Sequence, residues 1–392
     1  MKSKALFLLL SIIMMGCQFN SQQSEIGDLP VIDLSKSYPE KKISLRNIAD
    51  IEYVPLEITN DVLLGPNSIL TYVSDKYIVV FDLLQDEIFV FNRKGKIVSH
   101  FSRKGQSGQE YTGISGIVFD EKNEEIFVSD VSTYRFLVYS INGEYKRTLH
   151  YSKKLMFIYA YNFDDETMLI YNNDRGVINE NYSETPFVLI SKKDGSIVSN
   201  IDIRLPVRYP NRALEAIDMG GQKGTTAVNI YTPYNIYGCK DYILSDISSD
   251  TIYRLAKNRV VTPMLVRTPS VHSSTPPTVW STLLTTDKFI VLYKTVLDFT
   301  AKKKEENTSE TLMYEFETGQ TSKVTFLNEG WEWFPPVVVI GVDVRENMFA
   351  GMLSSIVLKK YYKKLQMRGE LDENVKMPDE DDNPAVMIVK FK

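Results

Sequence analysis

Apolar and polar residues alternate in short runs along most of the chain, and one two-run unit returns several times. DEIFVFNRKGKIVSHF (86–101) alternates, turns at Lys94-Gly95 and then resumes the alternation. YRFLVYSINGEYKRTL (134–149) has the same arrangement, with its turn glycine at Gly143. Alternation on both sides of a glycine is typical of a β-hairpin, and Asn-Gly indicates a type I′ turn with positive φ at both central residues. The two segments therefore predict equivalent hairpins.

Further copies extend this repeat to the end of the chain. They are FVLISKKDGSIVSNIDI (187–203), TIYRLAKNRVVTPMLV (251–266), LMYEFETGQTSKVTFL (312–327) and half a hairpin, AVMIVKFK (385–392). The 251–266 copy has Asn258-Arg259 where the others have glycine. Each copy follows another short apolar run, such as YIVVFD before the first. About four strands recurring at intervals of roughly 50–60 residues indicate propeller blades.

We therefore predict an all-β fold, a six-bladed β-propeller with four-stranded blades, over residues 30–392. The segment from Ile51 to Leu56 is expected to complete the blade that the C-terminal strand ends, because a closed ring leaves no free sheet edge there. SSIVLKKYYKKLQM (354–367) has its apolar residues at helical spacing. It predicts one short amphipathic helix, inserted near the C-terminus and packed on the propeller through Ile356, Leu358 and the tyrosines.

The N-terminus has the features of an export signal. A basic start and an apolar run shorter than a membrane span lead to IIMMGC, which ends at Cys17. This predicts a lipoprotein signal peptide over 1–16, a lipidated Cys17 inserted in a bilayer, and a flexible polar tether over 17–29. Gln18 is not the aspartate of inner-membrane retention, so the outer membrane of the cell envelope is favoured, and the side it faces stays open. An ordinary secretory signal with a chance cysteine is the alternative.

The composition argues against nucleic acid as a binding partner. The chain has 45 Lys and Arg against 50 Asp and Glu, without the basic patch that nucleic acid requires. Beyond Cys17 only Cys239 remains, so no disulfide framework is expected. A monomeric propeller without a cofactor is the simplest expectation.

Three segments resemble a known family. They are VIDLSK…KKISLRNIADIEYVPLE near the start, FSRKGQSGQEY (101–111) and the final DDNPAVMIVKFK. They are similar to the six-bladed β-propeller lipoproteins of Gram-negative gut-type anaerobes, which are related to NHL-repeat and TolB-like propellers. Ser107 stands where that family tends to have proline. The resemblance implies an envelope propeller and assigns no activity.

Two insertions and an aromatic pair are candidates for binding a glycan, a peptide or an envelope protein. The insertion 204–234 supplies Arg208, Tyr209 and Arg212, and the insertion 266–280 supplies Arg267 and Trp280; EGWEWFPP adds Trp331 and Trp333. Aromatic platforms with guanidinium groups suit sugars, peptides or carboxylates. Alternatively, the tryptophans fill gaps between blades and the arginines pair with nearby acids.

A catalytic alternative rests on repeated aspartates. Asp82, Asp130 and Asp246 end equivalent runs of three blades. If they converged on the central channel, they could hold a divalent cation, with calcium as the expected ion, in a hydrolase or lyase. An aspartate at such a position also serves as a turn residue. A binding propeller is the preferred interpretation, and this enzyme is the alternative.

Overall fold

The structure, a computed structural model, describes residues 29–157, 160–173, 183–210, 212–218, 223–229, 236–238, 240–299, 309–328, 331–333, 347–369 and 376–392. For 212–218, 223–229 and 331–333 only the backbone is described. The predicted signal peptide, Cys17, the tether up to residue 28 and Cys239 lie outside the described residues.

Twenty-eight strands and two α-helices make up the described part of the chain. The N-terminal elements are β1 (Val31–Asp33), β2 (Glu40–Ser44), α1 (Leu45–Ile48) and β3 (Ala49–Pro55). Then follow β4 (Ser68–Val73), β5 (Tyr77–Asp82), β6 (Glu87–Asn92), β7 (Ile97–Phe101), β8 (Gly116–Asp120), β9 (Glu125–Asp130), β10 (Arg135–Ser140), β11 (Tyr145–His150), β12 (Ala160–Asn162), β13 (Thr167–Tyr171), β14 (Phe187–Ser191) and β15 (Ile197–Asn200). The remaining elements are β16 (Arg212–Asp218), β17 (Lys223–Asn229), β18 (Ile236–Gly238), β19 (Tyr242–Leu244), β20 (Thr251–Leu255), β21 (Val261–Thr268), β22 (Thr278–Thr285), β23 (Phe289–Val296), β24 (Glu310–Glu315), β25 (Thr321–Asn328), β26 (Trp331–Trp333), β27 (Met348–Leu353), α2 (Ser355–Met367) and β28 (Ala385–Phe391).

These strands form a six-bladed β-propeller, as the repeats predict. Blades 1, 2 and 3 are the antiparallel sheets β4–β7, β8–β11 and β12–β15, and blades 4 and 5 are built on β18–β21 and β22–β25. Blade 6 consists of β27, β28 and β3 among the described residues. Each predicted hairpin supplies the third and fourth strands of a blade. Neighbouring blades pack face to face, as where the rings of Tyr72 in blade 1 and Phe119 in blade 2 lie 5.0 Å apart.

The ring closes between the two ends of the chain. β28 pairs antiparallel with β3 over its whole length, with Val386 opposite Val54. This confirms the predicted role of the Ile51–Leu56 segment. The Asn383 side chain reinforces the join, because its Nδ2 donates to the carbonyls of Glu57 and Val62.

The N-terminal residues 29–55, here called the N-terminal strap, also cover the outer edges of other blades. β1 lies parallel to β21 of blade 4, and β2 lies parallel to β25 of blade 5. The strap then becomes β3, the outer strand of blade 6. Three successive sheet edges are thus paired, which protects them from intermolecular pairing.

The hairpin turns correct the type I′ prediction. Gly95, Gly143 and Gly195 have φ of 77°, 79° and 82°. The residues before them are not among the described residues with positive φ, and the register shifts by one residue near each turn. The turns are therefore longer connections with one left-handed glycine and a bulge. In the fourth hairpin Arg259 takes this left-handed position, with φ of 68°.

Helix α2 begins after Ser354, whose hydroxyl accepts a hydrogen bond from the Val357 amide. Its buried side chains include Leu358, Tyr362 and Leu365, and Tyr362 packs edge-on against Tyr53 of β3. The helix therefore packs on blade 6, as predicted. Ile356 differs from the prediction, because it is exposed rather than packed. Within the described residues, no helix combines the length and apolar character needed to cross a bilayer.

Candidate binding site

The two faces of the propeller carry connections of very different length. Turns between the first and second strands, and between the third and fourth, span three to five residues in blades 1–5. The opposite face, here called the long-loop face, carries the connections between blades and those between second and third strands. Among the described residues, its longer connections include 56–67, 102–115 and the described parts of the connections that follow β13, β15, β23 and β27. Binding residues concentrate on loops that a rigid scaffold positions, so this face is the candidate functional face.

Exposed apolar side chains are concentrated on the same face. The connections of the long-loop face contain Ile58, Leu63, Leu83, Leu84, Val131, Tyr134, Met156, Val207, Ile356, Val357 and Met367 among the exposed large apolar residues. The short turns of the opposite face contain only Val260 among those described. A surface that gathers exposed apolar groups in one region marks an interaction site.

A cleft of about 590 Å³ opens on this face where blade 6 meets blade 1, and it is here called the seam cleft. Such a volume falls within the range of about 300–1,000 Å³ that is common for ligand sites. Its lining comes from the loop before β4, the turn after β5, the start of α2 and the loop before β28: Leu64, Gly65, Pro66, Asn67, Ser68, Ile69, Leu70, Leu83, Met352, Ser354, Ser355, Ile356, Glu380, Asp382 and Pro384. The seam between the chain ends therefore creates the cleft.

Two carboxylates give the seam cleft its charge. Glu380 lies 3.4 Å from Lys359 Nζ, a contact that is mostly exposed and therefore weak. One Asp382 oxygen accepts a hydrogen bond from the Asp379 amide. None of the described lining residues is a lysine or an arginine. The cleft is therefore apolar along its walls and acidic at one side.

Arg208, one of the candidate binding residues, has a structural position. Its side chain is buried, and Nη2 donates to Asp246 Oδ2, to the Tyr171 hydroxyl and to the Asn172 carbonyl. The Tyr171 hydroxyl also donates to Asp246, at 2.6 Å. The arginine thereby anchors the segment before blade 4 to that blade, which is the alternative that the sequence left open.

Tyr209 reaches the second insertion. Its hydroxyl lies 3.0 Å from Nδ1 of His272, and the two rings are 5.3 Å apart. Its amide donates to Ser248 Oγ, at 2.7 Å. The structure therefore brings together residues of the two predicted insertions, with His272 exposed and Tyr209 half-buried.

Arg267 and Trp280 are corrected from exposed binding groups to buried ones. The Arg267 guanidinium donates to the carbonyls of Pro269 and Thr278 and lies 3.7 Å from Asp250. Trp280 is 1% exposed, and its Nε1 donates to the Ser249 carbonyl. The Arg267 guanidinium and the Trp280 indole N–H therefore stabilise the backbone conformation of the segments that carry these carbonyls.

The remaining candidates have only their backbone described. Arg212 begins β16, which pairs with β17 in a separate hairpin on the connection into blade 4. Trp331 and Trp333 bound β26, which pairs with β25 at Asn328 and Phe326. Their predicted part in binding stays a prediction.

The three repeated aspartates lie at the ends of second strands or just beyond them, and each accepts hydrogen bonds from surrounding residues. Asp82 accepts hydrogen bonds from the amides of Leu84 and Gln85. Asp130 and Asp246 accept likewise from nearby donors, including Ser132 Oγ for the former and the Ser248 amide for the latter. Among the described residues, no three His, Cys, Asp or Glu side chains are grouped in a metal-binding arrangement. The hydrogen bonds of the three aspartates fit the turn role, and a cation in the channel stays an untested alternative prediction.

The FSRKGQSGQEY segment forms an ordered loop between blades 1 and 2. The buried Tyr111 hydroxyl donates to the Asp86 carbonyl, and burial raises the pKa of Tyr111. The Ser107 amide donates to Glu110 Oε2. Proline, which the resembling family tends to have at this position, has no N–H and could not make that bond.

Sequence reasoning missed the seam cleft. Neither the acidic residues Glu380 and Asp382 nor the loop from Leu64 to Ser68 carries a motif of a binding site. Aligning the repeats would have given one signal, a difference in charge between two equivalent positions. Glu87 begins β6 of blade 1, whereas Arg135 begins β10 of blade 2. The cleft itself depends on which blades meet at the seam.

The fold and the cleft define a six-bladed β-propeller with a ligand-sized site at its closing seam. Residues 29–390 match the family described as a domain of unknown function, DUF4934, and the chain belongs to that family. No curated protein matches the chain.

Solved structures from two Bacteroides species are similar in fold. One is a Bacteroides fragilis protein described as exported, with a TM-score of 0.59 and 13% identity over 92% of this chain and 99% of that one. Another, from Bacteroides vulgatus, is a member of the duf4221 family, with a TM-score of 0.45 and 7% identity over 88% of this chain and 98% of that one. The first likeness supports the shared fold.

Proposed function

We propose that this protein is an exported, lipid-anchored binding propeller of the cell envelope that holds a ligand or partner protein in the seam cleft. The observation that carries the proposal is the cleft of about 590 Å³ on the face with the long connections and exposed apolar groups. Leu83 and Ile356 are 41% and 47% exposed at its walls, and they lose solvent contact when a ligand fills the space.

Export and anchoring are supported by the sequence. The lipobox-like IIMMGC places Cys17 at the acylated position, and the similar Bacteroides fragilis protein is described as exported. The polar residues after Cys17 would tether the propeller to the outer membrane. In cells, fatty-acid labelling and membrane partition should both be lost in Cys17→Ser. Labelling that persists in this variant would contradict the anchor.

The binding site can be tested with a glycan array and an immobilised peptide library. The probe protein is the chain from residue 17 onward with Cys17→Ser, compared with the same chain carrying Leu83→Asp and Ile356→Asp. Val98→Asp is the matched control, because Val98 is 44% exposed on β7, away from the cleft. We expect the ligands retained by the parent to be lost in the double variant and kept in the control. Equal retention by all three proteins would place the site elsewhere.

A further inference from the structure

Among the described residues, no cation pairs with the repeated aspartate of blade 1, whereas two of its repeat counterparts have one. Asp130 lies 3.3 Å from Arg135 Nη2, and Asp246 lies 3.3 Å from Arg208 Nη2. Asp82 occupies the same position in blade 1 and is 1% exposed. None of the ion pairs found within the described part of the chain includes Asp82. Its carboxylate is therefore buried beside neutral donors alone.

The strand register explains the difference. Arg135 stands directly opposite Asp130 in blade 2, whereas Glu87 stands directly opposite Asp82 in blade 1. Like charges at opposed positions of a sheet repel each other. Glu87 contacts His100, with Oε1 lying 2.7 Å from Nδ1. The repeat thus places two acids where blade 2 has an ion pair.

Asp82 lies directly behind the wall of the seam cleft. Its Oδ2 accepts a hydrogen bond from Ser68 Oγ, at 2.9 Å, and Ser68 lines the cleft. A Cβ placed on Gly65, another lining residue, would come within 2.6 Å of the same oxygen. Only a glycine backbone and a serine therefore separate the buried charge from the cleft.

The cleft adds acids and no bases. Glu380, which also contacts Lys359, and Asp382 line it, and none of the described lining residues is a lysine or an arginine. A buried carboxylate acts through a lower effective dielectric than water, so Asp82 attracts a cation in the cleft more strongly than an exposed acid at the same distance. A positive charge in the cleft would therefore be attracted by Asp82 from behind the wall and by Glu380 and Asp382 from the lining.

We propose that the seam cleft binds a basic side chain of a partner polypeptide, an arginine or lysine flanked by apolar residues. This inference rests on the proposed function and specifies its ligand. The cation supplies to blade 1 the charge that Arg135 supplies to blade 2. The flanking apolar groups pack on Leu83 and Ile356. Exposed Leu84 and Val357 continue the apolar surface beyond the cleft, which suits a peptide longer than one residue.

The test uses three fluorescein-labelled peptides that differ at one position: Gly-Leu-Arg-Leu-Gly and its Gln and Glu counterparts. Fluorescence anisotropy with the Cys17→Ser chain is expected to show the Arg peptide binding about tenfold more tightly than the Gln peptide. The Glu peptide is expected to bind more weakly still. Added salt should weaken the Arg peptide and leave the Gln peptide nearly unchanged.

Two variants assign the effect to the proposed charges. Asp82→Asn retains a side-chain oxygen for the Leu84 and Gln85 amides, and Glu380→Gln with Asp382→Asn alters only the cleft side. Each should reduce the Arg preference severalfold, and Glu317→Gln, an exposed turn residue on the opposite face, should not. The double variant keeps the test valid if Asp82→Asn fails to fold.

The outcomes separate this inference from the proposed function. If all three peptides bind equally and Leu83→Asp with Ile356→Asp abolishes their binding, the cleft is a binding site and the cation preference is wrong. If the Arg preference is unchanged in both carboxylate variants, the proposed charges are not its source and the inference is overturned. If no peptide binds while the cleft retains a glycan, the inference is again overturned and the proposed function stands.

Discussion

Nη2 of Arg208 lies 3.3 Å from Oδ2 of Asp246, and both side chains are fully buried. Tyr171 completes the group by donating its hydroxyl to the same oxygen. This contact joins the segment that enters blade 4 to the end of that blade's second strand. An arginine that the sequence suggested for ligand binding therefore stabilises the connection between blades 3 and 4.

We expect Arg208→Ala to destabilise the protein by about 3–5 kcal/mol, because it removes the guanidinium from a buried carboxylate. Asp246→Asn combined with Arg208→Met should recover part of that loss, because neither charge is then buried. Urea denaturation of Arg208→Met, Asp246→Asn and the variant that combines them gives the coupling free energy. An Arg208→Ala protein as stable as the parent would contradict the structural role.

Alanine substitutions at two turn glycines, Gly95 and Gly319, should separate the cost of backbone strain from the cost of steric contact. Gly95 and Gly319 both have positive φ, so alanine at either should cost about 1–2 kcal/mol. A Cβ on Gly95 would also come within 2.1 Å of the Pro55 carbonyl oxygen, whereas one on Gly319 would approach only the Tyr314 hydroxyl, at 3.8 Å. Gly95→Ala should therefore cost a further 1–3 kcal/mol, about the range for overpacking. Equal losses in urea unfolding would show that the contact with β3 relaxes freely.

Because of the Asp120–Lys192 ion pair, we expect the free energy of unfolding to depend on pH in the acidic range. The two side chains are buried and lie 2.8 Å apart, joining blades 2 and 3. Burial raises the pKa of Asp120, but hydrogen bonds from Lys192 and Asn123 outweigh it and hold the pKa below the usual 3.8. A lowered folded-state pKa contributes stability above the unfolded value, and that stability is lost as the pH falls through the folded value.

Asp120→Asn should therefore destabilise the protein at neutral pH, by about 3–5 kcal/mol, because Lys192 then lacks its buried counter-charge. The difference from the parent should begin to shrink as the pH falls below the unfolded-state pKa of about 4, and it should be lost as the pH falls through the lower folded-state pKa, where the folded parent's own Asp120 becomes protonated. Denaturation midpoints measured at neutral and acidic pH check this. If the parent and Asp120→Asn differ in stability by the same amount at neutral and at acidic pH, the loss comes from packing and not from the ion pair.

The hydrogen bonds of the Asn383 side chain stabilise the closure of the ring. Oδ1 accepts a hydrogen bond from the Leu64 amide, and Nδ2 donates to Glu57 and Val62, so one side chain holds the loop before β28 to the segment after β3. Asn383→Ala removes all three hydrogen bonds, which are buried or partly buried, and should cost about 2–4 kcal/mol.

Hydrogen exchange provides a local measurement of the same change. The amides of β3 and β28 should exchange faster in Asn383→Ala, while those of blade 2 should stay protected. Asn258→Ala is the control, because the Asn258 side chain accepts only an exposed hydrogen bond from the Val260 amide. Uniformly faster exchange over all blades would indicate global destabilisation and would contradict a local role at the seam.

The repeated alternation and the turn glycines determined the architecture, because a four-stranded sheet with two apolar faces can bury both only between equivalent neighbours. The copies that turn at Gly95, Gly143, Gly195 and Gly319 identified the blades, and the Ile51–Leu56 segment identified the closing strand. These features are local or periodic, so they can be recognised from the order of residues. The same holds for α2, whose apolar spacing is helical.

Only the tertiary structure decided which polar side chains face solvent. Arg267 and Trp280 were plausible surface groups by composition, yet both are buried against main-chain carbonyls that no sequence pattern marks. The seam cleft likewise joins Ser68 to Glu380, which are brought together only when the ring closes. Burial and long-range proximity depend on how the blades pack, and that packing is not encoded in any single segment.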